Sequence, residues 1–158
     1  MPALPYLAVL GSMLAGNLAA QAGFPHAMAT RGCTQEDGQA LELYLTQTPY
    51  DGRGEPSKPY LRIEIAWGDW SKLTGRDLAL VPLSRRGEDA QKHVVRAEFH
   101  DLRGGPLWLA GTLHLDSVRV DRGATGSFQF SDRGAHGHQG RWSGTFDARW
   151  VARRNGCG

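Results

Sequence analysis

Apolar and polar residues alternate along much of this chain, and the alternation is clearest between Leu107 and Val151. From Arg141 to Trp150, aromatic and small residues occupy the even positions, while polar and charged residues occupy the odd positions. Side chains of a β-strand point alternately to its two faces, so this segment predicts a strand with one buried and one solvated face. Such strands are typical of antiparallel sheets. We therefore expect the rest of the chain to pack against consecutive antiparallel strands in this stretch.

The same pattern recurs upstream and predicts seven or eight short strands in all. The segments with this pattern are 40–46, 60–67, 77–83, 93–100, 107–115, 126–130 and 141–150. Residues 23–39 show no alternation and are predicted to be irregular. Turn-forming residues separate the strands, which favours an all-β fold, either an antiparallel β-sandwich or a small β-barrel. Periodicity alone does not distinguish the two.

Three of the predicted strands share a short phrase, in which glycine precedes a hydroxyl residue and two apolar positions. The phrases are 111–115 (GTLHL), 126–130 (GSFQF) and 144–148 (GTFDA). Glycine inside a strand marks a bend, a bulge or a close backbone approach, so the phrase predicts a strongly curved sheet. The apolar phase also shifts between Leu115 and Val118, which predicts a turn or bulge around Asp116 and Ser117.

The first 22 residues differ in kind from the rest. No charged side chain precedes Arg31, residues 6–20 are mostly apolar, and Ala20-Gln21-Ala22 is a small-x-small cleavage site. This pattern predicts a secretory signal peptide, although it lacks a basic leading region. The apolar run is shorter than the ~20 residues of a membrane span, so no stable span is predicted. We expect a signal peptide over 1–22, a single β domain over 23–158, and a periplasmic or secreted protein.

Composition narrows the class of partner only slightly. The chain of 158 residues has a net charge of +2, with 41% hydrophobic and 22% charged residues, which is ordinary for a globular domain. Basic residues are not concentrated in a patch, so no nucleic-acid partner is predicted.

The two cysteines lie near the ends of the predicted mature chain, at Cys33 and Cys157. Export places them in an oxidising compartment, where two such thiols are expected to pair. The pattern therefore predicts a disulfide that joins the first part of the β domain to the last. A redox or metal-binding pair is the alternative, but the chain has no CxxC spacing and neither cysteine is flanked by histidine.

The sequence carries little that resembles an active site. His136 and His138 form its only metal-like cluster, and a firm site would need a third or fourth ligand. We favour a solvated loop there and predict no cofactor. The sequence contains no nucleophile elbow, phosphate-binding loop or HExxH motif, so the chain is predicted not to be an enzyme.

Two carboxylates fall on the outward faces of two predicted strands that are distant in the sequence. Glu64 and Glu98 accompany Arg62 and Arg96 at positions two apart. Cross-strand ion pairs explain these residues without acid–base catalysis.

Aromatic residues offer a possible ligand surface. Trp70 falls in a predicted loop, and Trp108 is out of phase with the leucines around it. Together with Tyr60 and Tyr44 they would form an exposed aromatic surface for an unknown protein, a glycan or a small apolar ligand. We favour the alternative that these rings cover a second apolar face, because large rings dominate burial.

The phrases at 111–117 and 144–150, together with Cys33 and the late Cys157, resemble a group of small exported bacterial β-rich proteins of uncharacterised function. That group has a terminal Gly-x-Phe-x-Ala strand and a closing cysteine, and the likeness covers roughly the last third of this chain. The resemblance implies an exported, disulfide-closed β domain and assigns no catalytic residue.

These observations favour an exported, non-enzymatic β domain with a binding or structural role. The first alternative is a carrier that holds a small apolar ligand in a barrel cavity. The second is a metal-dependent activity at the loop of His136 and His138.

Overall fold

In the computed structural model, residues 23–33, 39–66, 69–80, 94–102, 104–132 and 140–152 are described. They form eight β-strands and one short 3-10 helix, so the fold is all-β, as predicted. The strands are β1 (His26–Cys33), β2 (Gln39–Thr46), β3 (Tyr60–Ala66), β4 (Arg76–Ala79), β5 (Val94–His100), β6 (Leu107–Arg119), β7 (Gly123–Asp132) and β8 (Arg141–Trp150), and the 3-10 helix is Trp70–Leu73. Within these ranges, no helix is both long and apolar enough to cross a membrane. The predicted signal peptide lies outside them.

Seven of the strands form a closed barrel. Their order around the ring is β6-β5-β3-β2-β1-β8-β7, and the pairing of β7 with β6 closes it. All neighbours in the ring are antiparallel except β1 and β8, which run parallel. The structure therefore selects the barrel over the sandwich.

Strand β6 has neighbours on both edges. One edge pairs with β7 over 109–119, and the other pairs with β5 at Leu107 and Trp108. The eighth strand, β4, lies outside the ring. It pairs with residues 112–115 of β6, on the same edge of β6 that pairs with β5. The β6–β7 register shifts between Leu115 and Ser117, which confirms the predicted bulge.

The barrel interior is filled by side chains from alternate positions of the strands. The largest fully buried members of this core include Leu41, Leu43, Leu45, Leu61, Ile63, Ile65, Val95, Leu113 and Leu115. Their odd numbering in β2, β3 and β5 is the periodicity that predicted these strands. Each buried Leu or Ile contributes ~1.5–3 kcal/mol relative to an exposed one, so this core holds the strands in register.

The prediction of an irregular segment over 23–39 is wrong, because β1 lies within it. Met28, Ala29 and Thr30 are successive residues of β1 and are all nearly inaccessible to solvent. Ala29 belongs to the interior core, while Met28 packs outside the barrel against Tyr44. Both faces of the strand are covered, so its sequence shows no alternation of apolar and polar residues.

The recurring glycines lie where the sheet approaches itself closely. The glycines at 111, 126 and 144 pair across the ladders with Phe130, Phe146 and Phe128, respectively. Gly111 has a φ of 134°, and a Cβ there would collide with the carbonyl oxygen of Gln129. A larger residue would therefore strain this part of the barrel.

Candidate functional site

The seam between β1 and β8 has few backbone contacts. Only Met28–Arg149 and Ala29–Trp150 pair across it, and Val151 N donates a 2.8 Å hydrogen bond to the Ala29 carbonyl just beyond. Since β8 is 10 residues long, most of its edge toward β1 has no partner strand in the described part of the chain.

The ladder between β1 and β8 ends with Met28 and Arg149. Backbone groups of alternate residues face the same edge of a strand, so Ala27 and Pro25 follow Ala29 on the edge of β1 that faces β8. Ala27 has an N–H group that makes no ladder bond to β8, so the two strands already separate there. Pro25, further along this edge, has no N–H group and cannot donate where a ladder would resume. Within the described residues, β8 therefore has no partner strand on the N-terminal side of Arg149.

The same alternation identifies the free backbone groups of β8. Because Arg149 and Val151 face β1, the N–H and C=O groups of Ser143, Thr145 and Asp147 face the same side. The even-numbered residues face β7, with which β8 pairs in unbroken register. No backbone hydrogen bond joins the three residues to another described segment on the β1 side. We call this row, from Arg141 to Asp147, the open edge of β8.

A cleft lies beside the open edge, where β1 and β8 diverge. Its two parts have volumes of about 420 and 360 Å³, and Pro25, Ala27 and Asp147 border both. The larger part is lined by the aromatic rings of Phe24 and Phe146, among others, so its floor is apolar.

The walls of the cleft combine apolar and polar groups. Phe128 and Phe146 belong to the barrel core and are 3% and 7% exposed, so the floor is fixed by packing. His26, Asp147 and Arg149 supply polar groups at the rim. An apolar floor with a few polar groups is typical of a binding pocket. Beside an unpaired strand edge, this arrangement suits an added strand that places a side chain on the floor.

A smaller pocket of about 280 Å³ lies where β4, β6 and β7 meet. His114 borders it, with Nδ1 2.6 Å from Asp77 Oδ1 and Nε2 3.3 Å from Asp116 Oδ1. Both ring nitrogens therefore face carboxylates.

An ion-pair network covers the outer face of β2, β3 and β5. Arg62 lies at its centre, with nitrogen–oxygen distances of 2.6 Å to Glu42, 3.2 Å to Glu64 and 3.8 Å to Glu98. Arg96 lies 3.7 Å from Glu64. The ladder also places Arg62 opposite Glu98 and Glu64 opposite Arg96, so the predicted cross-strand ion pairs are present.

Burial alters the acid–base properties of this network. Removal from water raises the pKa of Glu64, and the charges of Arg62 and Arg96 oppose the rise. Burial also raises the pKa of Tyr60, whose hydroxyl donates to Glu55 at 2.7 Å. Each charged group has oppositely charged neighbours, so the arrangement is that of a structural network.

Three of the four residues of the possible aromatic surface are buried, so the structure does not form that surface from them. Trp70, Tyr44 and Tyr60 are only 5%, 5% and 2% exposed. Trp70 lies in the 3-10 helix and packs on the core, while the two tyrosines pack with Met28 on the outer face of the barrel. The alternative, in which these rings cover a second apolar face, describes them better.

Trp108 is the remaining member of that predicted surface, and it is 37% exposed on β6. It pairs with Glu98 of β5, at the two-residue contact between those strands. The structure does not bring Trp108 together with the cleft.

The metal and disulfide predictions fall partly or wholly outside the described residues. His136, His138 and Cys157 lie outside them, whereas Cys33 ends β1. Within the described ranges, no group of three or more His, Cys, Asp or Glu side chains is arranged to hold a metal ion. The Cys33–Cys157 disulfide stays a prediction.

Sequence reasoning missed the seam and its cleft. The site depends on β1, which shows no alternation, and on its parallel pairing with a strand more than 100 residues away. The signal present was Pro25, next to Phe24 and at the start of an unrecognised strand. Because β1 was not predicted, Pro25 could not be recognised as a residue beside a strand.

No protein-family model matches this chain, and no curated protein or solved structure is significantly similar to it.

Proposed function

We propose that this protein is an exported, non-enzymatic binding domain that accepts an extended polypeptide segment as an extra strand on the open edge of β8. The observation that carries the proposal is the row of backbone groups at Ser143, Thr145 and Asp147, which have no partner on the β1 side among the described residues and lie beside the cleft. A sheet edge of this kind recognises partners through main-chain hydrogen bonds. Specificity then comes from the side chains that meet adjacent pockets.

The cleft supplies such a pocket. Phe24, Phe128 and Phe146 line it, so an apolar side chain of the added strand would lose contact with water there. Asp147 and Arg149 at the rim carry opposite charges and favour a segment that has both signs near the apolar residue.

Export is part of the proposal and is supported by the pattern of the first 22 residues. A Cys33–Cys157 disulfide would be a second argument, and the seam is compatible with it because β1, which ends at Cys33, runs parallel to β8. The seven residues after Trp150 span at most ~25 Å when extended, which is enough to bring the two cysteines together.

A small apolar ligand in the cleft is the second candidate. Its larger part, about 420 Å³, has a phenylalanine floor and falls within the ~300–1,000 Å³ of small-molecule sites. In that case, native mass spectrometry of the exported protein would show a bound small molecule, and the open edge would be incidental.

Selection from a random dodecapeptide library on the immobilised protein tests the strand-addition proposal. Selected peptides should lose affinity for a Thr145→Pro variant by about tenfold or more, because proline removes a free N–H group from the open edge. A Thr145→Ala variant is the matched control: it keeps the N–H group and should bind within about threefold of the unmodified protein.

The proposal fails if no peptide can be selected, or if the selected peptides bind the Thr145→Pro variant as tightly as the Thr145→Ala variant. Circular dichroism of both variants shows whether the barrel is intact, so that misfolding is not mistaken for lost binding.

A further inference from the structure

The residues of β8 point to a second copy of this chain as the strand on its open edge. We infer that the protein forms a two-fold symmetric dimer by antiparallel pairing of β8 with β8. This inference rests on the proposed use of the open edge and names its partner. It rests on the symmetry of the β8 sequence. It also rests on the outward side chains of β8, which make no hydrogen bond or ion pair with the rest of the described chain.

The sequence of β8 is self-complementary about Gly144. Ser143 and Thr145, both hydroxyl residues, flank the glycine. One step further out stand two aromatic residues, and beyond them Arg141 and Asp147 carry opposite charges. In an antiparallel pair with Gly144 on the two-fold axis, the hydroxyl residues would therefore face each other, and so would the aromatic residues. Arg141 of each copy would face Asp147 of the other.

Backbone geometry permits this register. The odd-numbered residues of β8 direct their N–H and C=O groups to the open edge, and a Gly144-centred pair matches odd residues with odd residues. Arg141 then faces Asp147 of the partner, and Ser143 faces the partner's Thr145. In antiparallel sheets, such facing residues exchange both N–H···O bonds.

The neighbouring register is unfavourable. With Thr145 on the axis, Arg141 of each copy would face Arg149 of the other, and like charges directly opposite are destabilising. The ion pairs of the Gly144-centred register therefore favour it over this one. Most of the affinity comes from backbone hydrogen bonds and buried surface, because exposed ion pairs add little.

The outward side chains of β8 are available for these contacts. Arg141, Thr145 and Asp147 are exposed, and Ser143 is half-buried. With the rest of the described chain, none of the four makes a side-chain hydrogen bond or an ion pair. The half of the edge from Arg141 to Ser143 faces no described strand, and the other half faces the cleft.

Two-fold pairing would also leave neither copy with an open edge for a third chain. Each copy contributes its open edge once, so the assembly closes at two chains and does not grow into a fibre. A free strand edge is otherwise a site of uncontrolled association.

Charge reversal with sedimentation equilibrium tests the inference on the full exported protein. Arg141→Asp and Asp147→Arg each bring like charges together at both ends of the pair, and each should raise the dimer dissociation constant by about tenfold or more. The Arg141→Asp, Asp147→Arg double variant should restore the original constant. An equimolar mixture of the two single variants should form a heterodimer, because their charges are then complementary.

Arg119→Asp is the control, since Arg119 is exposed near the end of β6 and away from the open edge. It should leave the dissociation constant unchanged. A protein that is monomeric up to millimolar concentration overturns the inference, and so does a dimer that both single variants leave unchanged. If peptides bind the open edge while the chain stays monomeric, only the identity of the partner is wrong. If neither is observed, the proposed function falls as well.

Discussion

Arg62 is the residue on which the outer face of the barrel depends most. Its guanidinium contacts carboxylates from three strands, and Glu42, the nearest, is only 3% exposed. Tyr44 also donates to Glu42 at 2.8 Å, and the glycine at position 32 leaves room for the Glu42 side chain. A carboxylate held this far from water is stable only while its cation is present.

Replacement of Arg62 with methionine should therefore destabilise the protein by ~3 kcal/mol at pH 7, as expected when one partner of a buried ion pair is removed. Urea denaturation measures the change. Arg119→Met is the matched control, because Arg119 is exposed, and it should change stability by less than about 0.5 kcal/mol.

The effect of Arg62→Met should depend on pH. Arg62 opposes the rise that burial causes in the pKa of Glu64, so its removal raises that pKa further. A carboxyl group whose pKa is raised in the folded state favours folding below its unfolded pKa, and this benefit is lost as pH rises through the folded pKa. The variant should accordingly lose less stability at pH 4 than at pH 7. An equal loss at both values would contradict the assignment of Arg62 as the compensating charge.

At the scale of elements, the β1–β8 ladder ends at Met28 and Arg149. The next bond would come from the N–H group of Ala27, and Pro25, two residues further along this edge, cannot donate to β8 at all. The ladder therefore has few pairs, and the cleft lies where it ends.

Hydrogen exchange should show the open edge directly. In the Arg141→Asp variant, which we expect to be monomeric, the amides of Ser143, Thr145 and Asp147 should exchange at least ~100-fold faster than those of Phe146 and Ala148. The two sets of residues alternate along β8, but only Phe146 and Ala148 direct their N–H groups toward β7. NMR-detected exchange resolves them, and uniform protection along β8 would show that the edge is paired.

The strength of alternation decided which elements were predictable. β8 was recovered with its bounds, and β2, β3 and β5 nearly so, because one face of each lies in the core and the other carries polar groups. β1 was missed because Met28, Ala29 and Thr30 are buried on both faces. β6 and β7 proved longer than their predicted segments, because the register shift between Leu115 and Ser117 interrupts the alternation before the buried pair of Val118 and Ala124.

For the whole molecule, the choice of barrel over sandwich lay beyond the sequence, because it depends on contacts between distant strands. The parallel pairs between β1 and β8, Ala29 with Trp150 and Met28 with Arg149, join residues more than 100 positions apart and are needed for a continuous ring. The candidate site lies at this closure, so it was hidden for the same reason. By contrast, the ion pairs of Arg62 join strands whose alternation was already clear.

Intact mass spectrometry of the exported protein tests the two whole-molecule predictions that the described residues leave open. The chain should begin after Ala22 and be two hydrogens lighter than its reduced form, as a Cys33–Cys157 disulfide requires. Closing a loop of about 120 residues should stabilise the fold by ~4–5 kcal/mol on the chain-entropy model. A reduced sample is the control, and an unchanged mass after reduction would show that the bridge is absent.

The parallel seam has a further consequence for the order in which the barrel assembles. β6, β7 and β8 follow one another in the chain, and Asp121 and Arg122 lie in the short turn between the first two, so this meander needs little loop closure to form. The β1–β8 ladder must instead bring together segments more than 100 residues apart for very few pairs. We expect it to form last and to open first, so that the edge of β8 meets other strands while the barrel is still incomplete. Association would then compete with closure of the barrel.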